Sequence, residues 1–424
     1  MDQGNTAFVL ISAALVLLMT PGLAFFYGGM VKAKSVVSMM MLSFGSLGLI
    51  AVLWVVYGYA ISFANGGTAS FFGIDGWFGI DTNFIGLSQQ VHEALSSTAA
   101  GAYPSLAFVS FQATFAIITV ALISGAIADR AKFGAWMVFA GLWATLVYFP
   151  VANWVFNFTV QDGKIVDGGW IVYNLGVIDF AGGTAVHINA GAAGLALALI
   201  LGKRFGFSKG INQPHNVPLT LLGVALLWFG WFGFNAGSEV RADGIASLAF
   251  INTIGAPAAA MLGWIAVEKL RHGKATSIGA ASGAVAGLVA VTPACASLDP
   301  MWALALGVVA GALCALAIDL KFAFGFDDSL DVVGIHLVGG ITGTLWIGIF
   351  GNGVGAAFGF GFHQLAMQAL GALAVLVYSF VMAYAIGWVV DKLIGFRVQV
   401  DAEIAGIDTV VHGEEAYAFG VDRL

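Results

Sequence analysis

The sequence predicts an all-α polytopic membrane protein in which eleven helices cross the bilayer. Hydrophobic residues fill 60% of the 424 positions and charged residues only 9%, whereas a soluble domain carries about 25% charged residues. The mean hydropathy is +0.94. This much apolar surface requires lipid as its solvent. The 58 glycines favour closely approaching helices, and therefore a tight bundle.

Eleven apolar segments, each about as long as the ~20 residues that a helix needs to cross a bilayer, follow one another along the chain. No Lys or Arg precedes the first, so we interpret it as a retained span and not as a cleaved signal peptide. The segments fall near 7–29, 38–62, 102–127, 133–151, 182–202, 217–236, 245–267, 276–294, 301–318, 332–354 and 364–390.

The basic residues predict the orientation of these spans. If the N-terminus is outside, 14 of the 16 Lys and Arg residues lie in inside loops or in the C-terminal tail, and only Lys164 and Arg241 lie outside. Inside loops of membrane proteins are enriched in Lys and Arg. We therefore expect an N-out, C-in topology, with two long outer segments near 63–101 and 152–181.

Two similar stretches predict an internal repeat. "DFAGGTAVHINAG" (179–191) opens the fifth span and "DVVGIHLVGG" (331–340) opens the tenth. Helices five spans apart run in opposite directions, as in inverted repeats whose functional site lies at the repeat interface. We expect five-helix repeats near 7–202 and 217–354 within a transmembrane domain of residues 1–394. Residues 395–424 would form a cytoplasmic tail, either ordered enough to dock a partner or plainly solvated.

His187 and His336 are the only histidines inside predicted spans. Ionisable residues in a membrane usually mark a transport pathway, although a lone membrane histidine can also serve helix packing. A neutral pair offers a donor and an acceptor and can share a proton. No Cys or Glu completes a set of three or four metal ligands, and Cys295 and Cys314 resemble small buried hydrophobes. We expect no metal and no cofactor.

Acidic and aromatic residues flank the histidines in the sequence. Asp179 and Asp331 open the two helices. A carboxylate at such a position has two possible roles: the first-ranked is a helix cap, and the second is attraction of a cation. Aromatic side chains with a nearby hydroxyl can hold a small cation by cation–π contact. Such residues occur in "LLWFGWFGFNAGS" (226–238), and in "FQATF", where the two phenylalanines lie one helical turn apart.

Over nearly its whole length the chain resembles the ammonium transporter (Amt) family. The resemblance lies in "TPGLAFFYGG" (20–29), "DFAGGTAVHINAG", "WFGFNAGS", "DVVGIHLVGG" and "HGEEAY" (412–417). It implies a homotrimer with one pore per subunit in the plasma or bacterial inner membrane. It also implies ammonium or ammonia as substrate, methylammonium as an analogue, and a PII-family regulatory protein at the cytoplasmic tail.

The family's functional residues carry over to matching positions. The resemblance implies pore histidines at His187 and His336, a phenylalanine gate at Phe115 and Phe234, an external ammonium site at Phe111, Ser238 and Asp179, and a pore aromatic at Trp231. Asp331 would be a structural acid.

The outer site departs from the family pattern. Some family members have a tryptophan in a "VWGGG" stretch, and "ANWVFNF" (152–158) places Phe156 there. Trp154 or Trp170 would be the substitutes. Phe binds cations less well than Trp.

The sequence thus predicts a transporter that recruits ammonium outside, deprotonates it and conducts ammonia past the twin histidines, with proton co-translocation. Neutral ammonia conduction stays open. The alternatives are an ammonium sensor that acts through the tail with little flux, and an intramembrane enzyme, which lacks a nucleophile near the histidines. No basic arm favours a nucleic-acid partner.

Overall fold

Eleven helices form the bundle in the computed structural model, within the residues that it describes (2–64, 69–71, 74–96, 103–207 and 213–417). Each coincides with one of the apolar segments expected from the sequence. Their bounds are Gln3–Met30 (α1), Val36–Ser62 (α2), Ser105–Ile127 (α3), Phe133–Phe156 (α4), Gly183–Leu201 (α5), Val217–Glu239 (α6), Gly244–His272 (α7), Ser277–Val291 (α8), Pro300–Phe324 (α9), Val333–Phe350 (α10) and His363–Ile394 (α11).

Ten of these helices in the described part of the chain are long and apolar enough to cross a membrane. The exception is α8, which has 15 residues. A helix of that length spans about 22 Å at ~1.5 Å per residue, less than the ~30 Å hydrocarbon core. Eleven crossings and the N-out, C-in orientation therefore stay predictions.

Glycines allow the helices to approach each other closely, as the composition suggested. A Cβ atom on Gly223 of α6 would lie 2.2 Å from the backbone nitrogen of Phe26 on α1. Between α5 and α10, a Cβ on Gly191 would lie 2.6 Å from the nitrogen of Leu337. Each contact joins a helix of the first predicted repeat to its counterpart in the second. This pairing supports the inverted repeat, which stays a prediction.

Two short β-hairpins depart from the all-α expectation. Strands β1 (Ala69–Phe71) and β2 (Ile74–Phe78) form one, and β3 (Phe158–Gln161) and β4 (Lys164–Gly168) form the other. The second turn has positive φ angles at Asp162 (51°) and Gly163 (74°), the backbone that an Asp-Gly hairpin turn favours. Both hairpins lie in the long segments expected outside, of which residues 65–68, 72–73 and 97–102 lie outside the described residues.

The tail is docked in its described part, residues 395–417. The Arg397 guanidinium donates to the Leu201 carbonyl at the end of α5 (3.0 Å) and pairs with Glu403 at 2.8 Å. The other carboxylate oxygen of Glu403 accepts from the Phe205 amide at 2.6 Å. These contacts show an ordered tail packed against the bundle; docking of a partner stays a prediction. Residues 418–424 lie outside the described residues.

Further contacts tie the tail to α2 and to the segment before α6. Asp408 accepts hydrogen bonds from the amides of Val37 (3.0 Å) and Ser38 (2.7 Å) in the first turn of α2. Burial raises the pKa of the Asp408 carboxyl, while the two amide hydrogen bonds act against this shift. Tyr417 brings its hydroxyl to 2.8 Å from Nε2 of His215. The tail therefore contacts α2, the end of α5 and the segment before α6.

Candidate functional site

A column of packed aromatic and imidazole rings runs through the bundle between α3, α5, α6 and α10. The ring centroids of Phe111 and Phe115 are 4.9 Å apart, and those of Phe115 and Phe234 are 4.2 Å apart with planes 23° from parallel. Phe234 lies 6.1 Å from His187, which lies 5.3 Å from His336. All five side chains are buried. The structure thus brings together residues that are up to 225 positions apart in the sequence (336 − 111).

The two imidazoles form a hydrogen-bonded pair. Their Nδ1 atoms are 3.2 Å apart, so one ring donates and the other accepts. Two protonated rings would direct N–H groups at each other, so this contact requires at least one neutral ring. Nε2 of His187 is buried and lacks a hydrogen-bond partner among the described residues. The pair can therefore relay one proton through its shared Nδ1 contact.

A small cavity adjoins the histidine pair and Phe234. Its volume is about 10 Å³, room for about one water-sized molecule. Apart from the imidazoles its walls are apolar or aromatic, so the cavity penalises a bare charge and accepts a small neutral molecule. The lining residues are Met19, Leu23, Phe26, Ile118, Leu122, Val186, His187, Leu227, Trp231, Phe234, Val285 and His336.

Trp231 forms one wall of this cavity and stacks on His187 at 5.5 Å. Its indole Nε1 donates to the Thr292 hydroxyl at 2.9 Å, which fixes the ring plane. Thr292 lies just beyond α8 and was not expected from the sequence, because no local pattern relates it to α6.

Asp179 caps the helix that carries His187, as expected. Its carboxylate accepts from the amides of Gly182 (2.9 Å), Gly183 (2.5 Å), Thr184 (2.8 Å) and Ala185 (3.1 Å), and also from the Thr184 hydroxyl. Gly182 has φ +115°, which glycine tolerates readily. The carboxylate thereby satisfies amides that have no partner within the first turn of α5.

The expectation that Asp331 caps α10 in the same way needs correction. Asp331 instead pairs with the buried Lys321 at 2.6 Å. The carboxylate that accepts from the first amides of α10 belongs to Asp328, which binds Val332 (3.1 Å) and Val333 (2.7 Å). Burial, followed by the charge of Asp331, raises the pKa of Asp328 to about 6. Asp331 remains a structural acid through its ion pair.

The spacing from each cap to its histidine is the same in both halves. Asp179 precedes His187 by eight residues, and Asp328 precedes His336 by eight. Each carboxylate binds the amides four and five residues ahead of it. The aspartate eight residues before His336 is Asp328, so an equal spacing to the histidine identifies the cap. The shared Asp-Gly-His order identifies Asp331 instead.

Both histidines lie in π-helical turns, at Gly183–Ile188 and Val333–Leu337. A π-turn inserts one extra residue into the helical repeat and often marks a functional site. These turns were not predicted from the sequence, because hydrophobic periodicity does not register a one-residue insertion in a helix that is buried all round.

The residues expected at the outer site lie at one end of the bundle. Phe156 ends α4 and its ring is 6.3 Å from that of Phe115. Ser238 is in the last turn of α6, where its hydroxyl donates to the Phe234 carbonyl at 2.8 Å. Next to it, a Cβ on Gly237 would lie 3.1 Å from the Phe111 ring. Phe156 and Ser238 therefore lie near the Phe111 end of the ring column.

The two tryptophans that could have substituted for Phe156 belong to another cluster. Trp154 and Trp170 lie 5.5 Å apart and both pack against Trp77, at 4.7 and 5.9 Å. The indole of Trp154 donates to the Trp77 carbonyl at 2.9 Å. The arrangement favours Phe156 as the third aromatic residue of the outer site.

A substitution at Gly191 tests the close contact between α5 and α10. We expect Gly191→Ala to destabilise the protein by about 1–3 kcal/mol, the usual cost of overpacking, because its methyl group would meet the Leu337 backbone at 2.6 Å. Thermal unfolding in detergent measures this. Gly48→Ala is the matched control, since a Cβ on Gly48 of α2 meets nothing within 4 Å. Equal melting temperatures for the two variants would contradict the prediction.

Comparisons with known proteins agree with this fold. A model of the Ammonium Transporter Family matches residues 7–417. The chain is 54% identical to an ammonium transporter of Mycobacterium tuberculosis over 99% of this chain and 91% of that protein. It is 44% identical to an ammonium transporter of Bacillus subtilis over 98% of this chain and 99% of that protein.

Solved structures are similar as well. Mep2 of Saccharomyces cerevisiae superposes with a TM-score of 0.82 at 32% identity, covering 95% of this chain and 88% of that one. A protein described as a sensor Amt protein superposes with a TM-score of 0.85 at 27% identity, covering 96% and 98%. The family is one of membrane transporters and not of enzymes. The match over nearly the full length and these identities show that the chain is a multi-pass membrane protein that belongs to the ammonium transporter family.

Proposed function

We propose that this chain conducts ammonium nitrogen through the pore defined by the ring column. The observation that carries the proposal is the order of its parts: a closed pair of stacked phenylalanines, then a cavity of about 10 Å³, then a hydrogen-bonded histidine pair. A bare ion would lose its hydration without replacement in such a lumen, which costs far more than transferring a neutral molecule. The arrangement therefore favours ammonia over ammonium at the histidines.

Recruitment would take place at the outer end, at Phe111, Phe156 and Ser238. Two aromatic faces offer cation–π attraction of about 2 kcal/mol or less when desolvated, and weaker for Phe than for Trp. Asp179 would contribute its negative charge from behind, because five donors already occupy its oxygens. We expect this outer site to bind ammonium more weakly than a site with tryptophan.

Deprotonation would occur at or below the gate. Phe115 and Phe234 stack at 4.2 Å, so their rings must move apart for a molecule to pass. Potassium is similar in size to ammonium but has no proton to release. Potassium therefore stays charged, and the apolar cavity excludes it because it cannot replace the lost hydration of the ion. No filter of carbonyl groups is needed for this selectivity.

The proton would then cross separately along His187 and His336. Their Nδ1 contact of 3.2 Å supports a relay within the pair, and proton passage beside ammonia makes transport electrogenic. If the proton instead returned outside, the same pore would conduct neutral ammonia. Methylammonium serves as a substrate analogue in either case.

The remaining parts of the proposal concern assembly and regulation. We propose a homotrimer with one pore per subunit in the plasma or bacterial inner membrane, with residues 1–394 as the transport domain. The tail from residue 395 would be regulatory and would receive a PII-family protein at the cytoplasmic face. Its described part contacts α2 and the end of α5, so a protein bound to the tail would bind a segment that itself contacts one of the pore helices.

A sensor is the second candidate function. It is favoured by the similarity to the structure described as a sensor Amt protein and by the docked tail. A sensor would bind ammonium outside and pass the signal to the tail with little flux.

The deciding experiment is an ammonium concentration jump on proteoliposomes of the purified protein. Current on a solid-supported membrane together with a pH change inside the vesicles would support electrogenic transport. A pH change without current would indicate neutral ammonia conduction. If both were missing while ammonium still bound, transport would be refuted and the sensor would take its place.

A further inference from the structure

The last helix, α11, is hydrogen-bonded to the segment just before α5. The side-chain amide of Gln368 is buried and faces the backbone of Ile178, the residue before Asp179. Its Oε1 accepts from the Ile178 amide at 2.8 Å, and its Nε2 donates to the Ile178 carbonyl at 2.8 Å. A second donation from Nε2 reaches the Thr344 carbonyl of α10 at 3.1 Å. One side chain thus holds both backbone groups of Ile178 and joins them to the helix that carries His336.

The hydrogen-bonding capacity of Gln368 is fully used. Gln364, one turn earlier on α11, donates to Oε1 of Gln368 at 3.0 Å and to the Gly176 carbonyl, also at 3.0 Å. Two donors and two acceptor positions are all that a glutamine amide has. A buried amide satisfied in this way holds one orientation, because any rotation leaves a polar atom unpaired.

A second hydrogen bond joins α11 to α5 just past His187. The buried hydroxyl of Ser379 donates to the Asn189 carbonyl at 2.8 Å. Asn189 follows directly after the π-helical turn Gly183–Ile188. Residues 368 and 379 are eleven positions apart, about three helical turns, so they lie on the same face of α11.

Two glycines of α11 bring the helix close to α5 and to the segment before it. A Cβ on Gly371 would lie 2.8 Å from the Val177 side chain, and one on Gly387 would lie 2.7 Å from Leu197. Contacts of residues 368, 371, 379 and 387 of α11 therefore extend from the segment before Asp179 to the last turns of α5.

We propose that Gln368 and Ser379 are positioning residues for transport: α11 clamps the chain on both sides of the Asp179–His187 segment and so fixes the cap and the imidazole relative to the pore. The inference rests on the proposed function. Gln368 acts next to Asp179, at the outer end, and therefore on recruitment. Ser379 acts two residues beyond His187, and therefore on passage through the lumen.

The two positions predict different kinetic effects. Gln368→Leu removes every hydrogen bond of the amide at similar size. We expect it to raise the half-saturating ammonium concentration about tenfold, because a displacement of ~1 Å at a site can cost up to ~100-fold. Ser379→Ala is expected to lower the maximal rate while the half-saturating concentration stays near that of the wild type. Proteoliposome uptake of methylammonium over a concentration series gives both constants.

Three further measurements serve as controls. Gln368→Glu keeps an acceptor for the Ile178 amide and is expected to recover part of the affinity. Ser43→Ala is the control for Ser379→Ala, since the Ser43 hydroxyl is also buried but has no hydrogen-bond partner among the described residues. Hydrogen exchange at residues 176–190 should accelerate in Gln368→Leu, and the elution volume in size exclusion shows that each variant is folded.

The outcomes separate this proposal from the function on which it rests. A wild type without uptake refutes both. A wild type with uptake, and a folded Gln368→Leu with unchanged constants, refutes the positioning role alone. If Gln368→Leu does not fold, Gln368→Glu and Ser379→Ala decide: constants equal to those of the wild type in both variants would likewise overturn the proposal.

Discussion

Replacing both His187 and His336 by alanine is expected to abolish the current that follows an ammonium jump. The pair supplies the polar side-chain atoms of an otherwise apolar cavity, and proton transfer by a positioned side chain contributes about 10²–10⁴-fold to a rate. We therefore expect the current to fall at least about a hundredfold. Neutral ammonia passage, followed by the pH inside the vesicles, should persist, since the cavity becomes wider and stays apolar.

Two variants check this interpretation. His187→Asn with His336→Asn keeps hydrogen-bonding groups in the cavity but cannot carry a proton, so it should lose the current as the alanine variant does. His272→Ala removes an exposed histidine in the last turn of α7 and should leave the current unchanged. A current of wild-type size in the folded alanine variant would exclude the histidine pair as the proton path.

Asp179→Ala is expected to destabilise the protein more than Gly191→Ala does. The change leaves four backbone amides and one hydroxyl in a buried site without their acceptor. Leaving a single buried polar group unsatisfied costs about 1–3 kcal/mol, so a loss of at least about 3 kcal/mol follows even if water reaches some of these amides. A strongly lowered melting temperature and a failure to assemble in the membrane would be observed.

Asp179→Asn separates the cap from the charge. The asparagine carbonyl oxygen can still accept the hydrogen bonds of one carboxylate oxygen, but its NH2 group cannot accept those of the other, so we expect a loss of stability smaller than that of Asp179→Ala. If the negative charge also attracts ammonium, the half-saturating concentration rises in this variant. If Asp179 is only a cap, methylammonium uptake by folded Asp179→Asn keeps the wild-type concentration dependence.

The positions of the helices could be predicted from the sequence because lipid imposes one simple requirement. A segment that crosses the bilayer must be apolar over about 20 residues and must satisfy its own backbone hydrogen bonds. Every expected segment became a helix, within a few residues at most ends. For the shortest helix, α8, an apolar composition does not show whether the helix crosses the bilayer, because a helix buried in protein needs no fixed length.

Which residues contact each other within the site was harder to predict from the sequence. Asp331 matches Asp179 in preceding a Gly and a His, but capping depends on how many residues separate the carboxylate from the free amides. Asp328 meets that condition. Similarly, Thr292 and Gln368 lie far along the chain from the residues that they hold, and a single sequence contains no record of such contacts.

The helical membrane fold and the ionisable residues inside the spans could be predicted from sequence alone, because the cost of burying polar groups in lipid acts on each segment separately. The ring order Phe115, Phe234, His187 and His336, the position of Phe156 beside Phe115 and the packed tail are visible only in the tertiary structure. These features depend on distances between helices, and those distances are set by side-chain packing at glycine contacts such as Gly191 against Leu337. Packing of this kind joins residues that are remote in the chain, so no local pattern encodes it.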